Sequence, residues 1–288
     1  MPGFLFFIFQ PLLSNAKVML QGGLVRKHNK TLADTVLINA WIFAAVTLIM
    51  GALFFRQLPP IGLVLLAILG GALASGFQIC YSSAFRSGPI SITCVIVSFA
   101  VVFPVLGGLL IYDEKLSTLR IAALVLTAIT FLLIPERTGG KVNRRWLIFS
   151  LSAMVCSGTS NFLQLIVSRT AGFADYSNEF IVLCFAVASA LCFLIGTPWQ
   201  KRDGGIFHPT KKVLLTVLGI GLALGLYNIL TPMALKSGID ASKYFPLMNV
   251  IIMIVVLISD FIFYRHIPKG RQWIGIVTAI IGSVLINL

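Results

Sequence analysis

Apolar stretches of bilayer length follow one another along the chain, separated by short polar breaks. They predict helices at about Pro2–Leu24, Leu32–Phe55, Ile61–Phe85, Pro89–Tyr112, Leu116–Pro135, Arg145–Arg169, Tyr176–Trp199, Lys212–Leu235, Ala241–Tyr264 and Pro268–Leu288. Each is close to the roughly 20 residues that a hydrocarbon core requires. Helix follows from the solvent, because no water is present there to pair with backbone N–H and C=O groups. The breaks carry turn chemistry: Leu58-Pro59-Pro60, Ser87-Gly88-Pro89, Thr138-Gly139-Gly140, Asp203-Gly204-Gly205 and Ser237-Gly238. The longest follow helices five and seven, and none has the length of a separate soluble domain. The first stretch starts without a charged leader or a small-residue cleavage site, so a signal peptide is not expected.

The ten stretches divide into two similar sets of five. Ala84-Phe85-Arg86-Ser87-Gly88 recurs 150 residues later as Ala234-Leu235-Lys236-Ser237-Gly238. Thr127-Ala128-Ile129 recurs 151 residues later as Thr278-Ala279-Ile280. Helix one carries a polar stripe of Gln10, Ser14, Lys17 and Gln21. Helix six carries Ser157, Asn161, Gln164 and Ser168 at the same spacing, which is one helical face. An odd number of helices per repeat gives the halves opposite orientations. The expected fold is therefore an all-α membrane protein of two inverted five-helix repeats around a central cavity. The first repeat covers residues 1–137, the second 145–288, and a loop at 138–144 joins them. Secondary transporters built this way bind substrate near the midplane, where the repeats meet.

Several segments resemble a known family: Ser14-Asn15 in helix one, the turn Ala84–Pro89, and the run Gly107-Gly108-Leu109-Leu110-Ile111-Tyr112-Asp113-Glu114-Lys115-Leu116-Ser117. The second half adds Ala234–Gly238 and Gln272-Trp273-Ile274-Gly275 through Ile281-Gly282. In this order along ten helices, the chain resembles the ten-helix, EamA-type members of the drug/metabolite transporter superfamily. Two positions depart from that pattern. Leu12-Leu13 stands where Trp-Gly is usual, and Arg265-His266 stands where the second half often carries a Glu. The resemblance implies a monomer-sized transport unit, with helices 1–4 and 6–9 around the cavity and helices 5 and 10 outside. It also implies both termini in the cytoplasm.

Polar residues inside spans are costly and mark candidate sites. Helix one offers Lys17 with Ser14 and Asn15 beside it, and helix six offers Asn161 and Gln164. Helix three offers Gln78, Tyr81 and Ser82. Helix eight offers Tyr227, Asn228 and Thr231. Helix nine offers Lys243 and Tyr244 near its start and Asn249 deeper. The candidate substrate-binding set is Lys17, Ser14, Asn15, Gln78, Tyr81, Asn161, Gln164, Tyr227, Asn228, Lys243 and Asn249. The alternative for the uncharged members is bonding between helices, about 1 kcal/mol per pair. Small residues at spacing four, such as Gly71/Ser75, Gly221/Gly225 and Gly275/Ala279/Ser283, read as packing positions.

Lys17 narrows the substrate class. A charge at the centre of a span is unfavourable by at least ~2.5 kcal/mol on insertion scales, so it needs water, a partner or a substrate. The nine acidic residues all avoid the middle of a span, and Asp260 lies deepest. As a proton relay Asp260 competes with the alternative of an interfacial pair with Arg265. A central cation without a carboxylate disfavours organic cations and favours an anionic or zwitterionic metabolite.

Composition fits this picture. The chain is 58% hydrophobic, with mean hydropathy +0.98, which excludes an ordinary soluble domain. The net charge of +13 belongs to connections and reads as topology rather than nucleic-acid binding. Of 21 Lys and Arg other than Lys17, 15 lie in odd-numbered connections and 6 in even-numbered ones. By the positive-inside rule this places both termini outside, opposite to what the resemblance implies, and both alternatives stand. His28, His208 and His266 lie in connections. Cys80, Cys94, Cys156, Cys184 and Cys192 lack metal or redox spacing. No cofactor or metal is expected, and no enzyme activity. The expected protein is a multi-pass secondary transporter of a bacterial inner membrane, monomer or homodimer, moving a small polar metabolite, anionic or zwitterionic, by alternating access. The alternatives are a flippase for a lipid-linked sugar and an intramembrane enzyme.

Overall fold

The computed structural model describes residues 5–28, 31–87, 93, 96–114, 117–133, 144–202, 210–264 and 270–285. These residues form α1 (Phe6–His28), α2 (Leu32–Phe54), α3 (Ile61–Ser87), α4 (Val102–Ile111), α5 (Thr118–Leu133), α6 (Arg144–Arg169), α7 (Ser177–Arg202), α8 (Lys211–Lys236), α9 (Ala241–Tyr264) and α10 (Gly270–Leu285), with no strand among them. Each helix falls on an expected apolar stretch. α1 runs on to His28, past the expected Leu24. α5 begins at Thr118 rather than Leu116, with the Ser117 carbonyl accepting the first helical bond from Ile121 N–H at 3.1 Å. α2 starts on a capping box, with Asp34 N–H donating to Thr31 Oγ1 (3.1 Å) and Thr31 N–H to Asp34 Oδ2 (2.9 Å). Most of the loop expected at 138–144, the Pro89 start of helix four, Arg265-His266 and the Asp260 side chain lie outside the described residues.

Five helical segments among the described residues are long and apolar enough to cross a bilayer: Leu32–Phe54, Ile61–Ala84, Arg144–Arg169, Ala174–Lys201 and Lys211–Lys236. A shorter one runs Ile96–Ile111. Their outer faces are apolar and exposed. Leu48 is 73% exposed, Leu194 70% and Leu215 70%. Such a surface is stable only against hydrocarbon. The protein is an integral, multi-pass membrane protein.

α2 packs against α7 and α8, α3 against α6 and α7, α1 against α8 and α9, α4 against α6 and α9, and α5 against α10. α6 also packs against α8. Exchanging each helix for the one five places away returns the other pairs, but α6–α8 has no counterpart of similar extent between α1 and α3. One pair of close crossings repeats too. A Cβ on Gly71 would come within 2.6 Å of the Cys184 carbonyl and Val187 Cβ of α7, and one on Gly221 within 2.7 Å of Ala45 Cβ of α2. These two glycines are 150 residues apart, the offset of the sequence repeat. Glycine permits a backbone approach that lets dispersion hold helices together in lipid, where no hydrophobic drive exists between them.

The connections after α2, α4, α6 and α8 gather at one end. Arg56 N–H donates to Glu179 Oε1 (3.2 Å), and Arg169 Nη2 donates to the Ile239 carbonyl (2.8 Å) while lying 3.8 Å from Glu114 Oε1. We call this the even end.

The close crossings predict the result of adding a side chain. Gly71→Val and Gly221→Val should each destabilise the protein by about 1–3 kcal/mol through overpacking. Gly270→Ala, whose Cβ meets open space, should not. Unfolding of the purified variants in detergent measures this, and equal stability of all three would contradict the close crossings.

Candidate functional site

Three polar helix faces meet inside the bundle near the even end. Gln10 is the centre. Its Nε2 donates to the Tyr227 carbonyl (2.9 Å) and to Thr231 Oγ1 (3.0 Å), and its Oε1 accepts from the Tyr244 hydroxyl (2.7 Å). The Tyr244 hydroxyl also lies 3.3 Å from Thr231 Oγ1. Gln10, Thr231 and Tyr244 are buried, so this cluster ties α1, α8 and α9 together away from solvent. Both ends of the Gln10 amide are satisfied, which such burial requires. Phe7 covers Tyr244 with ring centroids 5.9 Å apart.

A second contact extends the cluster to α6. Gln164 Nε2 donates to Asn228 Oδ1 (3.1 Å), and Asn228 Nδ2 donates to the Leu224 carbonyl (2.9 Å). Asn228 neighbours Tyr227, so Gln164, Asn228, Tyr227, Thr231, Gln10 and Tyr244 form one polar seam from α6 through α8 to α1 and α9. α8 supplies Tyr227, Asn228 and Thr231 from one face, and α1, α6 and α9 supply one residue each.

Lys17 continues the polar stripe of α1. It lies seven residues beyond Gln10 on that stripe, about 10 Å further from the even end. It is half-buried, and among the described residues it makes no hydrogen bond or ion pair. Asn15 Nδ2 donates to Ser259 Oγ of α9 (2.6 Å), while Asn15 Oδ1 is buried without a partner among the described residues.

The other expected site residues are placed as follows. Gln78 is buried and donates to Asn39 Oδ1 of α2 at 3.2 Å, a bond between α2 and α3. Tyr81 is half-buried and stacks on Phe77 with centroids 5.1 Å apart. Ser14, Asn161, Lys243 and Asn249 are half-buried. The structure therefore joins Gln164 and Asn228 directly, brings Tyr227 in through its backbone carbonyl on Gln10, and sets Gln78 apart in the α2–α3 contact.

Gln10, Thr231 and Tyr244 were named as polar positions of their helices but left out of the candidate binding set, although they form the middle of the seam. A signal was available. Each lies next to or near a proline inside its own helix: Pro11, Pro232 and Pro246. Proline removes a backbone bond, and neighbouring polar groups are then used to stabilise the weakened turn.

At the rim of the even end Glu114 reaches across from the end of α4. Its Oε1 accepts from Ala241 N–H (2.8 Å) and its Oε2 from Ser242 N–H (3.0 Å). These are the first amides of α9, which have no partner within their own helix. The geometry is set locally. Tyr112 N–H and Glu114 N–H both donate to the Gly108 carbonyl at 3.2 Å, with Asp113 between them at φ +50°. This left-handed closure turns the chain back so that Glu114 lies over Gly108, where a Cβ would come within 2.6 Å of Oε2.

No family model and no curated protein matches this chain. Among 29 matching chains of solved structures, one described only as a crystal structure of a protein superposes with a TM-score of 0.75 at 16% identity, over 98% of this chain and 95% of that one. That likeness concerns the fold alone.

The seam generates a stability prediction. Gln10→Leu removes three hydrogen bonds and leaves the Tyr244 hydroxyl and Tyr227 carbonyl with fewer partners. It should lower stability by about 1–3 kcal/mol. Gln78→Leu should act on the separate α2–α3 contact, so the double variant should be additive within about 0.5 kcal/mol. Detergent unfolding of the two single variants and the double measures both. A neutral Gln10→Leu would contradict the buried seam.

Proposed function

We propose that this chain is a secondary transporter of the drug/metabolite type, moving a small anionic or zwitterionic metabolite by alternating access between two inverted five-helix halves. The observation that carries this reading is the polar seam. Side chains of α1, α6, α8 and α9 face one another inside a chain whose outer surface is hydrocarbon-like, and Lys17 extends the same line to the centre of α1. A structural scaffold in lipid has no need of a mid-span ammonium. A translocation path does, because an anionic group crossing a low-dielectric region needs a counter-charge along its way.

Two further features support the reading. Most of the helix pairs, though not α6–α8, return on exchange of the halves, and the close crossings at Gly71 and Gly221 stand at the sequence offset; both support a two-fold reading. In repeat-built transporters the two halves rock about a site between them, so near-equivalent contacts on both sides allow two conformations of similar energy. Lys17 supplies the attraction. Asn15, beside it in α1, and Gln164 and Asn228 of the seam would supply neutral donors and acceptors along the path. Lys243, at the start of α9, adds positive charge towards the even end. Helices α5 and α10 pair with each other, which leaves them as outer support.

The charge assignment is tested by ligand-induced stabilisation. Purified protein is heated with panels of amino acids, sugar phosphates, nucleosides and amines. Anionic or zwitterionic compounds should raise its melting temperature, and quaternary amines should not. Lys17→Met should lose most of that rise, about tenfold or more in affinity for an ion-paired group, while still inserting and folding. Lys17→Arg should keep part of it. Stabilisation by organic cations, or an unchanged response in Lys17→Met, would contradict the reading.

A further inference from the structure

We propose that the even end is a two-layer gate, closed in this structure, with Glu114 as its latch and the Gln10–Tyr244–Thr231 cluster as its inner layer. The inference rests on the transport reading above and adds which contacts must break for the path to open towards this end.

The outer layer joins parts of the chain that are far apart in sequence. Glu114 ends α4 in the first half and caps α9 in the second, accepting from the Ala241 and Ser242 amides. Arg169, at the end of α6, lies 3.8 Å from the same carboxylate and donates to the Ile239 carbonyl in the connection before α9. The Glu114 side chain is 3% exposed. One carboxylate thus holds three elements, α4, α6 and α9, and bonds to an ionised acceptor are stronger than neutral ones. Yet the layer is incompletely satisfied. Arg169 Nε and Ser242 Oγ are buried without partners among the described residues. Orphaned donors lower the stability of the closed arrangement, as a contact that must open and close requires.

The inner layer lies beneath, where Gln10, Thr231 and Tyr244 close α1, α8 and α9 on one another. Each of these helices is interrupted by proline at that level, at Pro11, Pro232 and Pro246. A proline removes one helical hydrogen bond and lets the segments on either side bend. Three such positions on the three helices that form the inner layer give this end hinges where the contacts must part. Lys17 lies beyond this layer, so both layers separate it from the even end.

The test uses the full-length protein in nanodiscs, with native cysteines replaced and spin labels at Ala171→Cys and Lys236→Cys, both exposed at the even end. Electron–electron resonance reads the distance between them. The parent should give a dominant short distance. Glu114→Gln keeps the shape of the side chain and removes the charge, and Tyr244→Phe removes only the hydroxyl of the inner layer. Each should raise the ratio of long to short distance by about tenfold, and the two together by more than either. A single unchanged distance in both variants, each shown to be folded by its helical circular dichroism, would overturn the gate. Failure of the transport reading is seen separately. In that case the distances shift as expected, and the panels of Lys17 and its variants respond to no solute.

Discussion

Nothing inside a bilayer can substitute for a missing hydrogen-bond partner, and that constraint shapes this protein more than any other. Gln10 illustrates it. Its amide lies in the apolar interior with every strong valence used, by Tyr227, Thr231 and Tyr244. Those bonds fix how α1 meets α8 and α9. The fixed contact in turn directs the remaining polar stripe of α1, including Lys17, along the inside of the bundle. Close glycine crossings between α3 and α7 and between α8 and α2 hold the frame. The frame is rigid where backbones touch, and adjustable where prolines stand beside polar groups.

Much of the fold was legible in the sequence. Helix positions came from the lengths of apolar runs; the structure shifts ends, as at Thr118 and His28, and interrupts the expected fourth helix with a 3-10 turn at Phe99–Val101, which leaves α4 ten residues long. The offset of 150 residues was visible in Ala84–Gly88 and Ala234–Gly238, and it reappears physically in Gly71 and Gly221. Those glycines were read as packing positions, and the backbone distances agree. Patterns of period 3.6 carry this information because each helix must satisfy its own backbone, which leaves side chains only the choice of face.

The site was less legible. Gln164 and Asn228 were both expected and do meet. Gln78 had the same credentials, a polar side chain at the repeat-equivalent position to Asn228, yet it bonds to Asn39 on α2. Spacing within one helix cannot tell which neighbour a face meets. Glu114 shows the same limit from another side. The sequence presented it as the end of an apolar helix, whereas its partners, the amides of Ala241 and Ser242 and the guanidinium of Arg169, lie far along the chain. Long-range partnership of this kind depends on the left-handed turn at Asp113 and on the crossing of α4 with α9, neither of which is written in a local pattern.

The polar line from the Gln10 seam to Lys17 is the proposed path for a negatively charged or zwitterionic solute, and counterflow in proteoliposomes tests that proposal most directly. Vesicles loaded with a high concentration of a compound that stabilises the protein are diluted into a trace of its labelled form. The account predicts transient accumulation of label above equilibrium in vesicles holding the protein, and its loss with Lys17→Met. Accumulation that is equal with Lys17→Met, or that occurs only for organic cations, would contradict it.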